Sequence, residues 1–306
     1  MRKIRVLVVD DAVVVRRLVT SVLSAAPDIV VVGTAANGRL ALAKLGPLEP
    51  DLVTLDIEMP ELDGLETLVE IQRSHPHLPV IMFSTQTERG AIAVLDALAR
   101  GASDYVTKPA GAGSVELAQE RIRDELIPRI RALAGRGLAR VVVPKVARRE
   151  APVASHSRPP LRADLLAIGV STGGPNALTE VLRALPGEFP LPVMIVQHMP
   201  PIFTRFLADR LSNLSKLVVR EAEEGGLVEP GVVWVAPGNF HMLLRRDGGR
   251  VRVHLTQHPL ENSCRPAVDP LFRSAAEAYG PRTLALVLTG MGHDGLQGAE
   301  HIRQVG

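Results

Sequence analysis

Cysteine is nearly missing from this chain: Cys264 stands alone in 306 residues. That excludes an internal disulfide framework and fits a reducing compartment. A single thiol of this kind reads as a small buried hydrophobe. Aromatic residues are scarce too, 3% against 46% apolar overall, so any core is built from Val, Leu, Ile and Ala. Such aliphatic composition suits parallel sheets covered on both faces. No uninterrupted apolar run approaches the roughly 20 residues of a membrane span. Arg2 and Lys3 lead straight into a strand-like run ending at Asp10-Asp11, so no secretory leader is read either. Both features point to a cytoplasmic chain without membrane insertion.

An excess of one charge is also lacking, with Lys+Arg 35 against Asp+Glu 33 and a net charge of +2. Positive charge is concentrated only locally. Arg136, Arg140, Lys145, Arg148, Arg149, Arg158 and Arg162 face Glu150 alone between Gly135 and Ala163. This segment has no interleaved aromatics, no periodicity and many Ala, Pro and Val residues, so it reads as a solvated tether rather than a nucleic-acid or lipid contact. Nothing after it resembles a helix-turn-helix or a basic recognition face, which speaks against nucleic acid as a partner.

Between Ile4 and Leu133 a short apolar strand and an amphipathic helix alternate, with strands expected at 4–10, 30–35, 52–57, 80–84 and 104–107. Val15, Leu18, Val19, Val22, Leu23 and Ala26 place one apolar face on the first helix. Such βα repetition predicts a doubly wound parallel sheet with ligands at the carboxyl ends of the strands. The residues at those ends are chemically suggestive. Asp10 and Asp11 end the first strand, Asp56 the third and Ser84 the fourth, and Lys108 follows the fifth. Any one acid alone reads better as a turn cap, but five matching positions at strand ends do not. Three carboxylates in one crevice repel each other unless a hard cation joins them, and Mg²⁺ suits oxygen ligands. A carboxylate so placed can take a phosphoryl group as an acyl phosphate.

The segments VVDDA, TLDIEMPELDGLE, MFST and DYVTKP closely resemble the receiver domain of two-component response regulators over residues 1–125. The resemblance implies a flavodoxin-like fold with Asp56 as phospho-acceptor and Asp10, Asp11 and Asp56 around Mg²⁺. It also implies Ser84, Tyr105 and Lys108 as switch residues, and a cis bond at Lys108–Pro109. A helix is expected over 114–134, interrupted or bent at Pro128, whose missing N–H breaks the hydrogen-bond ladder. Residues 126–160 are read as helix end and linker.

The second half, 161–306, is organised around LLAIGVSTGGPNAL. An apolar run, 165–170, ends at Ser171, and two glycines and a proline precede the helical pattern opening at Asn176. That order sets a hydroxyl at a strand end against a helix N-terminus, where free N–H groups stabilise an oxyanion. Gly169 to Gly173 also fits the G-x-S-x-G nucleophile pattern. Taken alone, the stretch reads as well as a strand–turn–helix with Ser171 as N-cap. A dinucleotide loop fits poorly, because Ser171 occupies the place of a required glycine and no acid ends the next strand. That strand, 191–198, ends in His198. A hairpin is expected around Arg246-Asp247-Gly248-Gly249, then a helix over 267–278 and a strand over 283–288 leading to His293-Asp294. Among the histidines, His198 shares with Ser171 and Asp294 a place just past a parallel strand end.

The order Ser, His, Asp differs from the α/β-hydrolase order, so the nucleophile pattern does not by itself import that fold. GVSTGGP, VQHMP, CRPAVDPLFRSAA and LTGMGHDG resemble the catalytic domain of the chemotaxis protein-glutamate methylesterase (CheB) family. With the receiver-like half, the likeness spans essentially the whole chain. It implies a Rossmann-like second domain with a β-hairpin, Ser171 as nucleophile, His198 as base and acid, and Asp294 as the orienting carboxylate. Thr172 and the backbone of Met291 are the implied oxyanion candidates. The expected activity is demethylation of glutamate γ-methyl esters on chemoreceptor helices, with deamidation of receptor glutamines, activated by the histidine kinase CheA. No cofactor is expected for the ester step. Val170 stands where the family has a smaller residue. Relatives continue past the equivalent of Gly306, so a truncated domain with an uncovered strand edge is expected. The competing reading is a phospho-dependent binding protein whose hydrolase domain is inactive.

Overall fold

The computed structural model describes residues 2–109, 114–138 and 162–306. The first domain runs β1 (Ile4–Val9), α1 (Val13–Ser24), β2 (Ile29–Ala35), α2 (Gly38–Leu48), β3 (Leu52–Asp56), α3 (Gly64–Ser74), β4 (Val80–Ser84), α4 (Glu88–Ala99), β5 (Asp104–Thr107) and α5 (Val115–Leu138). Its strands form one parallel sheet in the order β2-β1-β3-β4-β5, the flavodoxin-like doubly wound arrangement. Every residue of β3 and of β4 is buried, which is why both are apolar apart from Thr54 and the functional groups at their carboxyl ends, Asp56 and Ser84. Side chains cap several helices. Asn37 Oδ1 accepts from the Leu40 N–H at 2.9 Å, Asp63 and Glu66 make a capping box, and Thr87 Oγ1 accepts from the Gly90 N–H at 3.0 Å.

Pro128 neither ends nor interrupts α5, which continues to Leu138. The ring forfeits one backbone hydrogen bond. The buried face formed by Ile122, Leu126, Ile130 and Leu133 holds the helix on the sheet through that point. The expected cis bond at Lys108–Pro109 is not present; among the described residues the cis peptide is Arg265–Pro266. Most of the linker assigned to 126–160 lies outside the described residues.

The second domain runs β6 (Leu165–Val170), α6 (Gly174–Ala184), β7 (Val193–Gln197), α7 (Phe203–Leu214), β8 (Val218–Glu221), β9 (Val232–Val235), β10 (His241–Asp247), β11 (Arg250–Thr256), α8 (Val268–Tyr279), β12 (Thr283–Val287) and α9 (Leu296–Val305). Five strands form a second parallel sheet, β12-β6-β7-β9-β8, and β10 and β11 form a separate antiparallel hairpin. The hairpin turns at Gly248 and Gly249, whose φ of 52° and 86° require residues without a Cβ. β8 escapes sequence reading because it is a four-residue edge strand with mixed burial. At the opposite edge, β12 leaves Leu284 and Val287 each 51% exposed. Strand order reverses across β6, so the carboxyl ends of β12, β6 and β7 open a crevice between them.

The two domains touch through α4, β5, α6 and α7. The rings of Tyr105 and Phe203 stack with centroids 5.2 Å apart and planes at 7°. Asn176 Nδ2 donates to the Leu98 carbonyl at 2.8 Å, and Arg210 pairs with Asp96 at 3.1 Å.

Candidate functional site

At the end of β6 the chain must turn sharply into α6. Gly173 takes φ 75°, a left-handed conformation that favours glycine. At Gly174 any Cβ would lie 1.9 Å from Gln197 Oε1. The buried Gln197 amide tightens this turn by donating to the Ser171 carbonyl at 3.1 Å, while the Gly174 N–H donates to the same carbonyl at 2.7 Å. The Ser171 N–H is engaged with Thr289 Oγ1 at 3.4 Å. Its side chain is therefore presented into the crevice by a backbone tied at three points.

His198 follows β7 and meets that side chain. Its Nδ1 lies 3.2 Å from Ser171 Oγ, and its Nε2 lies 2.7 Å from Asp294 Oδ2. Asp294, in the loop after β12, also accepts the first backbone N–H groups of α8, from Val268 at 2.6 Å and Asp269 at 3.1 Å. The carboxylate therefore sits on a helix N-terminus, where negative charge is favoured. Burial opposes its ionisation, yet the His198 contact and these N–H donors outweigh burial and hold it below the usual carboxylate range. Burial likewise works against a charged His198. The contact with Asp294, helped by the nearby Cys264 sulfur, prevails, and its pKa is pushed up to about 9. With Nε2–H directed at Asp294, Nδ1 is free to accept the serine proton.

These groups line a cleft of about 610 Å³ together with Cys264, Met291, Gly290 and, from the first domain, Pro128. Gly290, at φ 144°, passes so close that a Cβ there would meet Ser171 Cβ at 3.3 Å. Met291 lies on the cleft wall, and the Thr172 hydroxyl donates to Asp104 Oδ2 of the first domain at 2.7 Å. Asp104 accepts Arg129 on the same oxygen at 3.1 Å. Cys264 is a correction to the sequence reading: it is half-buried in the cleft wall beside His198, not buried in the core. Its cleft position comes from the loop before α8, which no period in the sequence reveals. His241 is buried as a structural histidine, with Nε2 donating to the Pro259 carbonyl and Nδ1 accepting the Ala267 N–H. His254 pairs with Glu224 at the surface, and His293 is exposed beside Asp294.

The second constellation lies in the first domain. One carboxylate oxygen from each of Asp10, Asp11 and Asp56 falls within 4.8 Å of the others. Lys108 Nζ reaches Asp56 Oδ2 at 2.7 Å and Asp10 Oδ2 at 2.9 Å. The ammonium pairs with both of these buried oxygens, which have no other protein partner. Burial is the main cause of the raised pKa of Asp56, about 6; the Lys108 contact lowers it and the neighbouring Asp10 charge raises it. Asp10 is raised, again mainly by burial. Three carboxylates converging in an all-oxygen cluster, with one ammonium between two of them, fit a hard divalent cation. A cleft of about 190 Å³ beside them is lined by Asp11, Asp56, Ser84, Thr85 and Lys108. Ser84 is buried, and Tyr105 lies one strand away with its ring on Phe203.

This geometry carries a pH prediction. Asp56 ionises near 3.8 in the unfolded chain and near 6 when folded, so the folded form binds more protons between those values. Stability should fall as pH rises from about 4 to 6, by on the order of 2–3 kcal/mol from this group. Urea titrations at pH 4.5 and 6.5 should show this decrement in the native chain and a smaller one in Asp56→Asn. Added Mg²⁺ should reduce the native decrement. An identical pH slope in both proteins would remove the assignment.

Comparison with known proteins follows the same division. Residues 166–306 match the family model described as CheB methylesterase, and residues 6–119 match the response regulator receiver domain. A protein-glutamate methylesterase/protein-glutamine glutaminase of Trichodesmium erythraeum is 50% identical over 100% of this chain and 88% of its own length. A protein of the same name from Nocardioides sp. is 54% identical over 99% of this chain and 84% of its own length. Among solved structures, the Thermotoga maritima CheB methylesterase catalytic domain is 46% identical, with a TM-score of 0.46, covering 47% of this chain and 76% of that one.

Proposed function

The chain belongs to the CheB methylesterase family, with a response regulator receiver domain at its amino-terminal end, and from that premise we propose a phosphorylation-activated serine hydrolase acting on chemoreceptors. Its substrates are the γ-methyl esters of receptor glutamates and, through the same site, receptor glutamines. The observation that carries this reading is the continuous contact from Ser171 Oγ to His198 at 3.2 Å and from His198 to Asp294 at 2.7 Å.

In the proposed mechanism Ser171 Oγ attacks the side-chain carbonyl carbon while its proton passes to His198 Nδ1. Asp294 keeps the opposite N–H in place and stabilises the imidazolium. The imidazolium returns its proton to the departing methoxide, giving methanol, or to the leaving amine of a glutamine, giving ammonia. Water then attacks the acyl-Ser171 ester with His198 again as base, which restores the serine and releases glutamate. The backbone of Met291 and the Thr172 hydroxyl are the proposed oxyanion donors, and Thr172 can serve only when released from Asp104. Because His198 must be neutral to begin, kcat/KM should rise with pH through a midpoint above the 6.5 of an ordinary histidine. A midpoint at or below 6.5 would argue against the assigned contacts.

Regulation is proposed to act through the domain contact. Asp56 is the phospho-acceptor, with CheA as phosphodonor; Asp10, Asp11 and Asp56 would hold Mg²⁺, which would supply positive charge against the incoming phosphoryl group. Lys108 and Ser84 flank the acceptor. Tyr105, stacked on Phe203, and Asp104, bonded to the residue after the nucleophile, connect β5 to the catalytic crevice. A coupling of a few kcal/mol between phosphoryl charge and docking is enough for this control. No helix among the described residues is long and apolar enough to cross a membrane, and we place the enzyme in the cytoplasm with its receptor helices and kinase. Methanol release from a methylated receptor fragment, with and without a small phosphodonor, tests the control. The donor should raise the native rate at least about tenfold and leave Asp56→Asn unchanged. Equal rates in all four reactions would remove gating from the reading.

A further inference from the structure

The loop before α8 holds a feature that the catalytic triad does not account for. Glu261 and Cys264 close a tight turn, with the Cys264 N–H donating to the Glu261 carbonyl at 2.8 Å and the Glu261 N–H to the Cys264 carbonyl at 3.2 Å. The two central residues, Asn262 and Ser263, take φ of 51° and 61°. Asparagine is among the few side chains that tolerate this left-handed conformation.

The turn aims the Asn262 amide at two carboxylates. Its Nδ2 donates one hydrogen to Asp269 Oδ2 at 2.9 Å and the other to Asp294 Oδ1 at 3.0 Å. Both partners accept only, so the amide nitrogen must face them. Asp269 is 1% exposed, and its other oxygen accepts the Gly298 N–H of α9 at 2.7 Å. A Cβ at Gly298 would lie 2.5 Å from Phe272 Cβ, so α9 is packed tightly enough onto α8 to keep that N–H aimed. Asp294 Oδ1 is thereby held by a side chain from the turn and a backbone N–H from α8, which leaves Oδ2 directed at His198.

We propose that Asn262, anchored by the buried carboxylate of Asp269, is a positioning residue that fixes the Asp294 carboxylate and through it the catalytic orientation of His198. The proposal rests on the esterase reading for its kinetic consequence, though not for its effect on the imidazole. Removing the amide would leave Asp269 Oδ2 and Asp294 Oδ1 facing one space with no proton between them. Asp294 would then become more basic and more mobile. The titratable groups facing His198 are Asp294 and, from the turn, Cys264; His293 lines the same cleft, and Asp269 acts through Asn262.

Two substitutions in the full chain separate positioning from mere packing. Asn262→Gly removes the amide and keeps the left-handed turn available. Asp269→Asn keeps the volume, removes one negative charge and sets an NH₂ against either the Asn262 NH₂ or the Gly298 N–H. Each should lower kcat for methanol release from a methylated receptor fragment by about 10- to 100-fold with KM within about twofold. Their effects on the His198 midpoint, followed by NMR of its ring protons, should be opposite. Asn262→Gly should move it up, since a donor to Asp294 is lost, and Asp269→Asn should move it down, since a neighbouring anion is lost. Folded variants with unmoved midpoints and native kcat would overturn the proposal, as would midpoints that move the same way. If one variant fails to fold, the direction of shift in the other decides. Opposite shifts in a chain that releases no methanol would retain the positioning role and discard the esterase reading.

Discussion

Ser171→Ala should fold normally and lose ester hydrolysis by about 10⁴-fold or more. The reason lies in what the substitution leaves in place. The Ser171 backbone is tied by Gln197, Gly174 and Thr289, none of which uses the hydroxyl, so the turn keeps its shape. The hydroxyl itself lies in an open cleft with His198 as its partner, and stability should change by less than about 1 kcal/mol. What disappears is the hydroxyl assigned to form the acyl-enzyme. Residual turnover would then come from water attacking a bound ester, aided by the oxyanion groups alone. Methanol release measures the rate, and mass spectrometry after a serine-directed acylating reagent should place an adduct on Ser171 in the native chain and none there in the variant. Comparable turnover in both proteins would sink the nucleophile assignment.

Asp294→Asn should cost a similar amount, about 10⁴-fold in kcat, for a different reason. Both oxygens of Asp294 face donors. Oδ2 meets His198 Nε2 and the Val268 N–H, and Oδ1 meets Asn262 Nδ2 and the Asp269 N–H. An asparagine amide must set its NH₂ against one of these pairs whichever way it turns. If it faces His198, the imidazole is driven to carry its proton on Nδ1, pointing at Ser171, and ceases to be a base. If it faces the Asn262 side, two donors collide and the loop shifts. Either way a buried donor loses its acceptor, which costs on the order of 1–3 kcal/mol of stability. The His198 pKa should also drop, since the carboxylate that outweighs burial is gone. Ring-proton NMR of the variant checks this drop. An unshifted histidine would mean that the 2.7 Å contact does not govern its protonation.

Much of this arrangement can be read along the chain because parallel sheets place chemistry at strand ends. Asp10, Asp56, Ser84, Ser171 and His198 each end or follow an apolar run, and the βα period brings such ends to one side of a sheet. The same logic fails where the backbone leaves that period. Cys264 and Asn262 sit in a tight turn outside the parallel strands, and their approach to His198 and Asp294 depends on how α8 packs against β6 and α9. The four-residue edge strand β8 is too short to show a period, and α5 passes through Pro128 because buried Leu126 and Ile130 outweigh one missing hydrogen bond.

By itself the sequence determined the alternation of strand and helix, the two parallel sheets, and the strand-end residues from which a phospho-acceptor and a serine nucleophile are drawn, since these follow from local periodicity and from which residues can end a buried strand. Only the tertiary structure decided which nitrogen of His198 faces the serine, that the Thr172 hydroxyl is bonded to Asp104 of the other domain, and that Asn262 joins two carboxylates. Those are contacts between residues far apart in the chain, set by packing at the ångström scale, and a linear pattern holds no record of the distance between two side chains that meet only after folding.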